Sequence, residues 1–136
     1  GALAKYNIAL SYFGENFMFQ LEGLDKYKNI ANATLLPLHL NIAACHMKHN
    51  NHSAAVIHCQ EVLQSEPENV KALYRSGASK AAMGQSDAAR EDLQKALKID
   101  PNDAAIKREL RKLRVEEKMV QKQSGKAFKG LFDGGE

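Results

Sequence analysis

Residues 73–103 read LYRSGASKAAMGQSDAAREDLQKALKIDPND, and an earlier version of the same text precedes them. Laid without a gap on Leu36–Pro67, the segment Val70–Pro101 pairs Asn41 with Arg75, Ala43 with Gly77, Ala55 with Ala89, Cys59 with Leu93, Val62 with Ala96 and Pro67 with Pro101, always 34 residues apart. That period fits two antiparallel helices and a short turn, a unit that buries its apolar face by stacking on the next copy. The residue types follow from packing. Two helices approach closely only where small side chains meet, which accounts for Gly77 and Ala43 opposite Ala89 and Ala55. Gly84 closes the first helix, where a left-handed residue costs glycine nothing. Pro101 forces Asp100 out of helical geometry and stops the second helix, and Asp103 or Asn102 then caps the next. The earlier copy turns instead on Asn50, Asn51 and His52, which still tolerate the required backbone.

Working outward, Ala2, Tyr6 and Ala9 repeat the spacing of Ala89, Leu93 and Ala96, so residues 1–13 read as the second helix of a first repeat. Ala9 to Val62 is 53 residues, and 53 minus 34 leaves an insertion of 19. It is placed within 14–35, with extended helices on either side. The second repeat then occupies 36–69 and the third 70–102, and the first helix of repeat one is expected upstream of Gly1. After Pro101, Ile106, Leu110 and Leu113 lay one apolar stripe along a single helix, so 103–136 reads as a basic C-terminal capping helix and tail. Helices are expected over 2–13, 15–48 with an interruption near the insertion, 53–65, 70–83, 87–99 and from about 103 onward. Period, small residues and closing proline together resemble the tetratricopeptide repeat (TPR). The fold that this implies is an all-α TPR helical solenoid with an extended C-terminal capping helix.

Composition narrows the functions. With 44% hydrophobic and 26% charged residues in 136, the chain has the make-up of a globular domain, and neither disorder nor a collagen-like repeat fits. No apolar run reaches the ~20 residues of a membrane span, and no signal-peptide pattern opens the chain. Cys45 and Cys59, far apart in helical text, read as reduced thiols packed in the core of a cytoplasmic protein. The net charge of +3 is uneven. Residues 103–129 hold nine Lys or Arg against four acids, a net of +5; residues 130–136 add −2, so residues 1–102 sum to zero. No Gly-rich phosphate loop, paired catalytic carboxylates or Ser-His-Asp arrangement is visible, so no enzyme and no cofactor is expected. Aromatics are too few and too little interleaved with the basic residues for nucleic-acid binding.

The candidate binding set lies on the first helices, which line the concave side of a stacked array. Asn41 and Arg75 occupy equivalent places, and Lys71 sits one turn before Arg75 on the same face. Two like charges at i, i+4 cost a helix a few tenths of a kcal/mol, a cost that an anion between them reverses. Arg offers a bidentate fork to a carboxylate, Lys a mobile point charge, and Asn a neutral donor to a peptide backbone. Asn41, with Lys71 and Arg75 in VKALYR, resembles the carboxylate clamp of TPR co-chaperones. The resemblance implies a partner: the Glu-Glu-Val-Asp tail of the ninety- or seventy-kilodalton heat-shock chaperones. GENFMFQLEGLDKYKNIA, HLNIAAC, KALYR and the ending KAFKGLF are together similar to the TPR domain of FKBP-type immunophilins, most of all the membrane-anchored plant members. This implies an isomerase domain upstream, an anchor downstream facing the cytosol, and membrane transporters as further partners of the parent.

The basic helix leaves three readings open: a cap with a solvated polar face, a calmodulin target anchored by Leu113, Val120, Phe128 and Phe132, or attraction to an anionic membrane. His46, His49 and His52 suggest a metal site, but His52 belongs to a turn and no carboxylate or thiolate completes a set, so none is expected. Asn32-Ala33-Thr34 and Asn51-His52-Ser53 match the glycosylation acceptor pattern, which a cytoplasmic chain leaves unused.

Overall fold

The computed structural model describes residues 1–12 and 25–133. Within them run six helices and no strand: α1 (Ala2–Tyr12), α2 (Asp25–Lys48), α3 (His52–Ser65), α4 (Val70–Ala82), α5 (Ser86–Ile99) and α6 (Ala104–Asp133). Each of α2 to α6 packs on the helix before it, α1 packs on α2, and α2 also touches α4. The chain is thus the all-α solenoid that its repeat implies. Of the insertion read over 14–35, residues 14–24 lie outside the described residues. The expected interruption does not extend past Asp25, since α2 runs unbroken to Lys48 with Pro37 inside it. Proline removes one N–H and leaves the Ala33 carbonyl without its helical donor. Ala33 and Pro37 are both exposed, so water reaches that carbonyl and the helix continues.

The turns inside the hairpins α2–α3 and α4–α5 use one device. Gly84 (φ 78°) and Asn50 (φ 59°) stand 34 residues apart in the left-handed region. The N–H of Gln85 reaches the Lys80 carbonyl (2.9 Å), and that of Asn51 reaches His46 (2.8 Å). The shorter bonds Gly84 to Ala81 (3.0 Å) and Asn50 to Met47 (3.1 Å) complete the Schellman pattern in each. Helix starts are also fixed by side chains. Asn69 Oδ1 accepts from the Ala72 N–H at 3.0 Å, and Asp103 Oδ1 accepts from the Ile106 N–H at 3.0 Å. Asp103, one of the two caps anticipated for α6, is therefore the residue that makes that bond.

The core lies in two connected clusters. Leu36, Ala43, Ala55, Cys59, Val62 and Ala72 form one, between α2, α3 and α4. Leu73, Ala89, Leu93, Ala96, Ile106 and Leu113 form the other, and Leu63 packs against both. Gly77 is required for packing, because a Cβ there would lie 2.7 Å from Leu93 Cγ and 3.3 Å from the Ala89 carbonyl oxygen. Helix α6 closes the stack with Ile106 and Leu113 buried. An ion pair between Arg90 on α5 and Glu117 fastens it further along, beyond which Lys118, Met119 and Val120 are exposed.

Candidate peptide-binding face

Asn41 projects from α2 and Lys71 from α4, both exposed, while Arg75 on α4 is half-buried. The Arg75 guanidinium crosses to α2, where Nη1 donates to the Leu40 carbonyl at 2.6 Å. That carbonyl sits in mid-helix, so the bond uses its second lone pair and leaves the helix intact. The crossing brings Arg75 beside the residue that precedes Asn41. Lys71 and Arg75 share a face at i, i+4, and among the described residues neither forms an ion pair with a carboxylate. Lys71 and Asn41 are open to water, and the charges of Lys71 and Arg75 on one face of α4 are of the kind that takes a carboxylate.

Behind this face the two hairpins differ. In the later one, Asp92 on α5 accepts from Ser76 Oγ at 2.8 Å and pairs with Lys80 Nζ at 2.8 Å, both partners on α4. In the earlier one, the corresponding positions 34 residues back hold His46 and His58, whose rings stack with centroids 5.5 Å apart. His58 Nδ1 also meets His39 Nδ1 at 3.0 Å. Burial, then the neighbouring His39 and His46, push His58 down to about 4; burial also lowers His39, partly offset by Glu61. Sequence reading grouped His46, His49 and His52 by closeness in the chain, and the fold separates them. His49 Nδ1 turns to the Cys45 carbonyl at 2.8 Å, His52 begins α3, and His46 joins His39 and His58 instead. The missed signal was the repeat itself, which aligns His46 and His58 with Lys80 and Asp92. Among the described residues, no three His, Cys, Asp or Glu side chains form a metal cage. Cys59 is fully buried and its thiol is pushed up to about 11, chiefly by that burial, so it is packing and not a nucleophile.

The family described as Tetratricopeptide repeat matches residues 70–103. Peptidyl-prolyl cis-trans isomerase FKBP42 of Arabidopsis thaliana is 47% identical over 98% of this chain, which covers 36% of that protein. Among solved structures, the C-terminal TPR-containing domain of an FK506-binding protein from Plasmodium falciparum superposes with a TM-score of 0.71 at 30% identity. The match covers 88% of this chain and 78% of that one. The chain belongs to the TPR domains of FKBP-type immunophilins. A multi-domain immunophilin from Arabidopsis thaliana agrees, at 48% identity and a TM-score of 0.64 over 69% of this chain and 36% of that one. Because the chain spans about a third of FKBP42, it corresponds to the protein-interaction portion of such immunophilins; their isomerase activity lies in a separate FKBP domain outside the matched segment.

Within this immunophilin TPR domain, the anchors read along α6 have different fates. Leu113 is 2% exposed and belongs to the core, so it is not available to a partner while α6 stays docked. The reason is the apolar stripe Ile106–Leu110–Leu113, whose last member the reading assigned twice, to the cap and to the anchor set. Val120 is 60% exposed, alongside Val115 and Met119. Phe128 and Phe132 fall in the last turns, where side chains lie outside the described residues. Among the described residues, no helix is long and apolar enough to cross a membrane.

Proposed function

We propose that this domain binds the acidic C-terminal tail of a heat-shock chaperone, ending Glu-Glu-Val-Asp, on the face formed by α2 and α4. Lys71 and Arg75 take the carboxylates, and Asn41 donates to the terminal peptide group. The observation that carries the reading is the Arg75 guanidinium reaching across from α4 to the Leu40 carbonyl of α2, one residue before Asn41 in the chain. Membership of an immunophilin family whose human relative FKBP4 is 36% identical over 80% of this chain supports an adaptor role in the same direction. Charge-assisted hydrogen bonds to a carboxylate contribute ~1.5–3 kcal/mol each, so Arg75→Ala should weaken binding about tenfold or more, and Lys71→Ala less. Fluorescence polarisation with free-acid and C-terminally amidated peptides tests this. Equal affinity for the two peptides, or for wild type and the Lys71→Ala/Arg75→Ala double variant, removes the clamp.

A second reading rests on Val115, Met119 and Val120, apolar side chains left in water on a basic helix. Such a helix suits the Met-rich groove of calmodulin, with Val120 as an anchor and the buried Leu113 excluded. Calorimetry with calmodulin, with and without calcium, decides it, and binding that survives deletion of residues 115–136 excludes this helix as the site. Anionic-membrane attraction and the parent's membrane anchor or transporters remain further proposals at this same end of the molecule.

A further inference from the structure

We infer that His39 and His58 form a two-imidazole clip for a late divalent transition-metal ion, Cu²⁺ or Ni²⁺, held between α2 and α3. The two Nδ1 atoms face each other across the helix pair at 3.0 Å. Metal–imidazole bonds of about 2.0–2.1 Å with that separation subtend about 90–100° at the metal. A tetrahedral Zn²⁺ site needs nitrogens about 3.3–3.4 Å apart, whereas near-right angles suit the tetragonal ions. His46, stacked on His58 with ring planes 17° apart, holds that imidazole in position. Glu61 on α3 acts electrostatically on His39 and lends the spot negative potential. Without metal the contact is one N–H···N bond between two tautomers. Coordination moves that proton to the far ring nitrogen through solvent, with no net release. Water completes the coordination, since the described residues offer no third ligand in place. The clip belongs to the earlier hairpin alone, because the same positions in the later one carry Leu73 and Asp92. It is independent of the peptide-binding proposal.

The test uses the tag-free chain, titrated with Cu²⁺ and separately with Ni²⁺ by calorimetry, with circular dichroism to check folding. One ion per chain is expected, and His39→Gln and His58→Gln should each lower affinity about tenfold or more, as expected for loss of one of two ligands. Zn²⁺ should bind more weakly than either ion. His49→Gln/His52→Gln should bind as wild type. Electron paramagnetic resonance of the Cu²⁺ form, which needs no variant, should show two coupled nitrogens. The proposal is overturned by absence of saturable binding, by binding that neither substitution weakens, by loss of binding in His49→Gln/His52→Gln, or by a spectrum with fewer than two nitrogens.

Discussion

The hairpins α2–α3 and α4–α5 share a period, a turn and a packing scheme, yet fill equivalent positions with different chemistry. Gly77 lies against Leu93 in one; Ala43 corresponds to it in the other, where the smaller Cys59 stands in place of Leu93. A large residue faces a glycine in one hairpin and a smaller one shares a core cluster with an alanine in the other, so side-chain volume is traded across the helix pair. Lys80 and Asp92 attract by charge, whereas His58 stacks on His46 and meets His39, with burial disfavouring the charged form of His58 and His39. The repeat therefore fixes volume and turn geometry and leaves the polar contact inside each hairpin free to vary. One hairpin is clamped by an ion pair, and the other is sensitive to protons.

The sharpest way to break this contrast is Asp92→Ala. It leaves Lys80, whose side chain is 18% exposed, and Ser76 without their shared acceptor, and should cost about 3 kcal/mol, read from urea unfolding. Next is Gly77→Ala, which drives a methyl into Leu93 and should destabilise by about 1–2 kcal/mol; adding Leu93→Cys, the pairing of the earlier hairpin, should relieve the clash.

Acidification acts on the other hairpin. His58 is depressed in the fold relative to an unfolded value of 6.5, so its contribution is fully present above that value. As pH falls from 6.5 toward 4 the unfolded state takes up the proton first, and stability is lost by about 1 kcal/mol, a figure kept small because water still reaches the ring. His39 shifts in the same direction. Thermal melts of wild type and His58→Gln between pH 7 and 4.5 should therefore converge. The smallest effect is a gain: Asn50→Gly relieves a side chain at φ 59° and should stabilise by about 0.5–1 kcal/mol in the same melts, making the earlier turn like the later.

Much of this was legible in the letters. Residues 34 apart place themselves at the same height in successive hairpins, so α3, α4, α5 and both turns follow from Gly84, Asn50, Pro67 and Pro101. The same offset puts Asn41 and Arg75 on neighbouring first helices, and Arg75 does reach α2. Its bond to a backbone carbonyl was not legible, because main-chain oxygens look alike in a sequence. The interruption read near the insertion does not reach past Asp25, and Pro37, which normally ends a helix, is carried inside α2 because Ala33 and Pro37 are exposed to water. Leu113 was counted as both cap and anchor because an amphipathic helix does not declare where its docked half stops. The histidine trio was overlooked because two of its members sit on α2 a long way along the chain from the third.

Leu63 is half-buried against both core clusters at once. In a linear array each unit melts with an intrinsic tendency plus a coupling to its neighbour. A side chain held in common raises that coupling, because neither hairpin can fray without stripping contacts from the other. The two hairpins, so different inside, should consequently lose their structure in one cooperative step, and a proton taken up at His58 should lower the melting point of α4 and α5 as well.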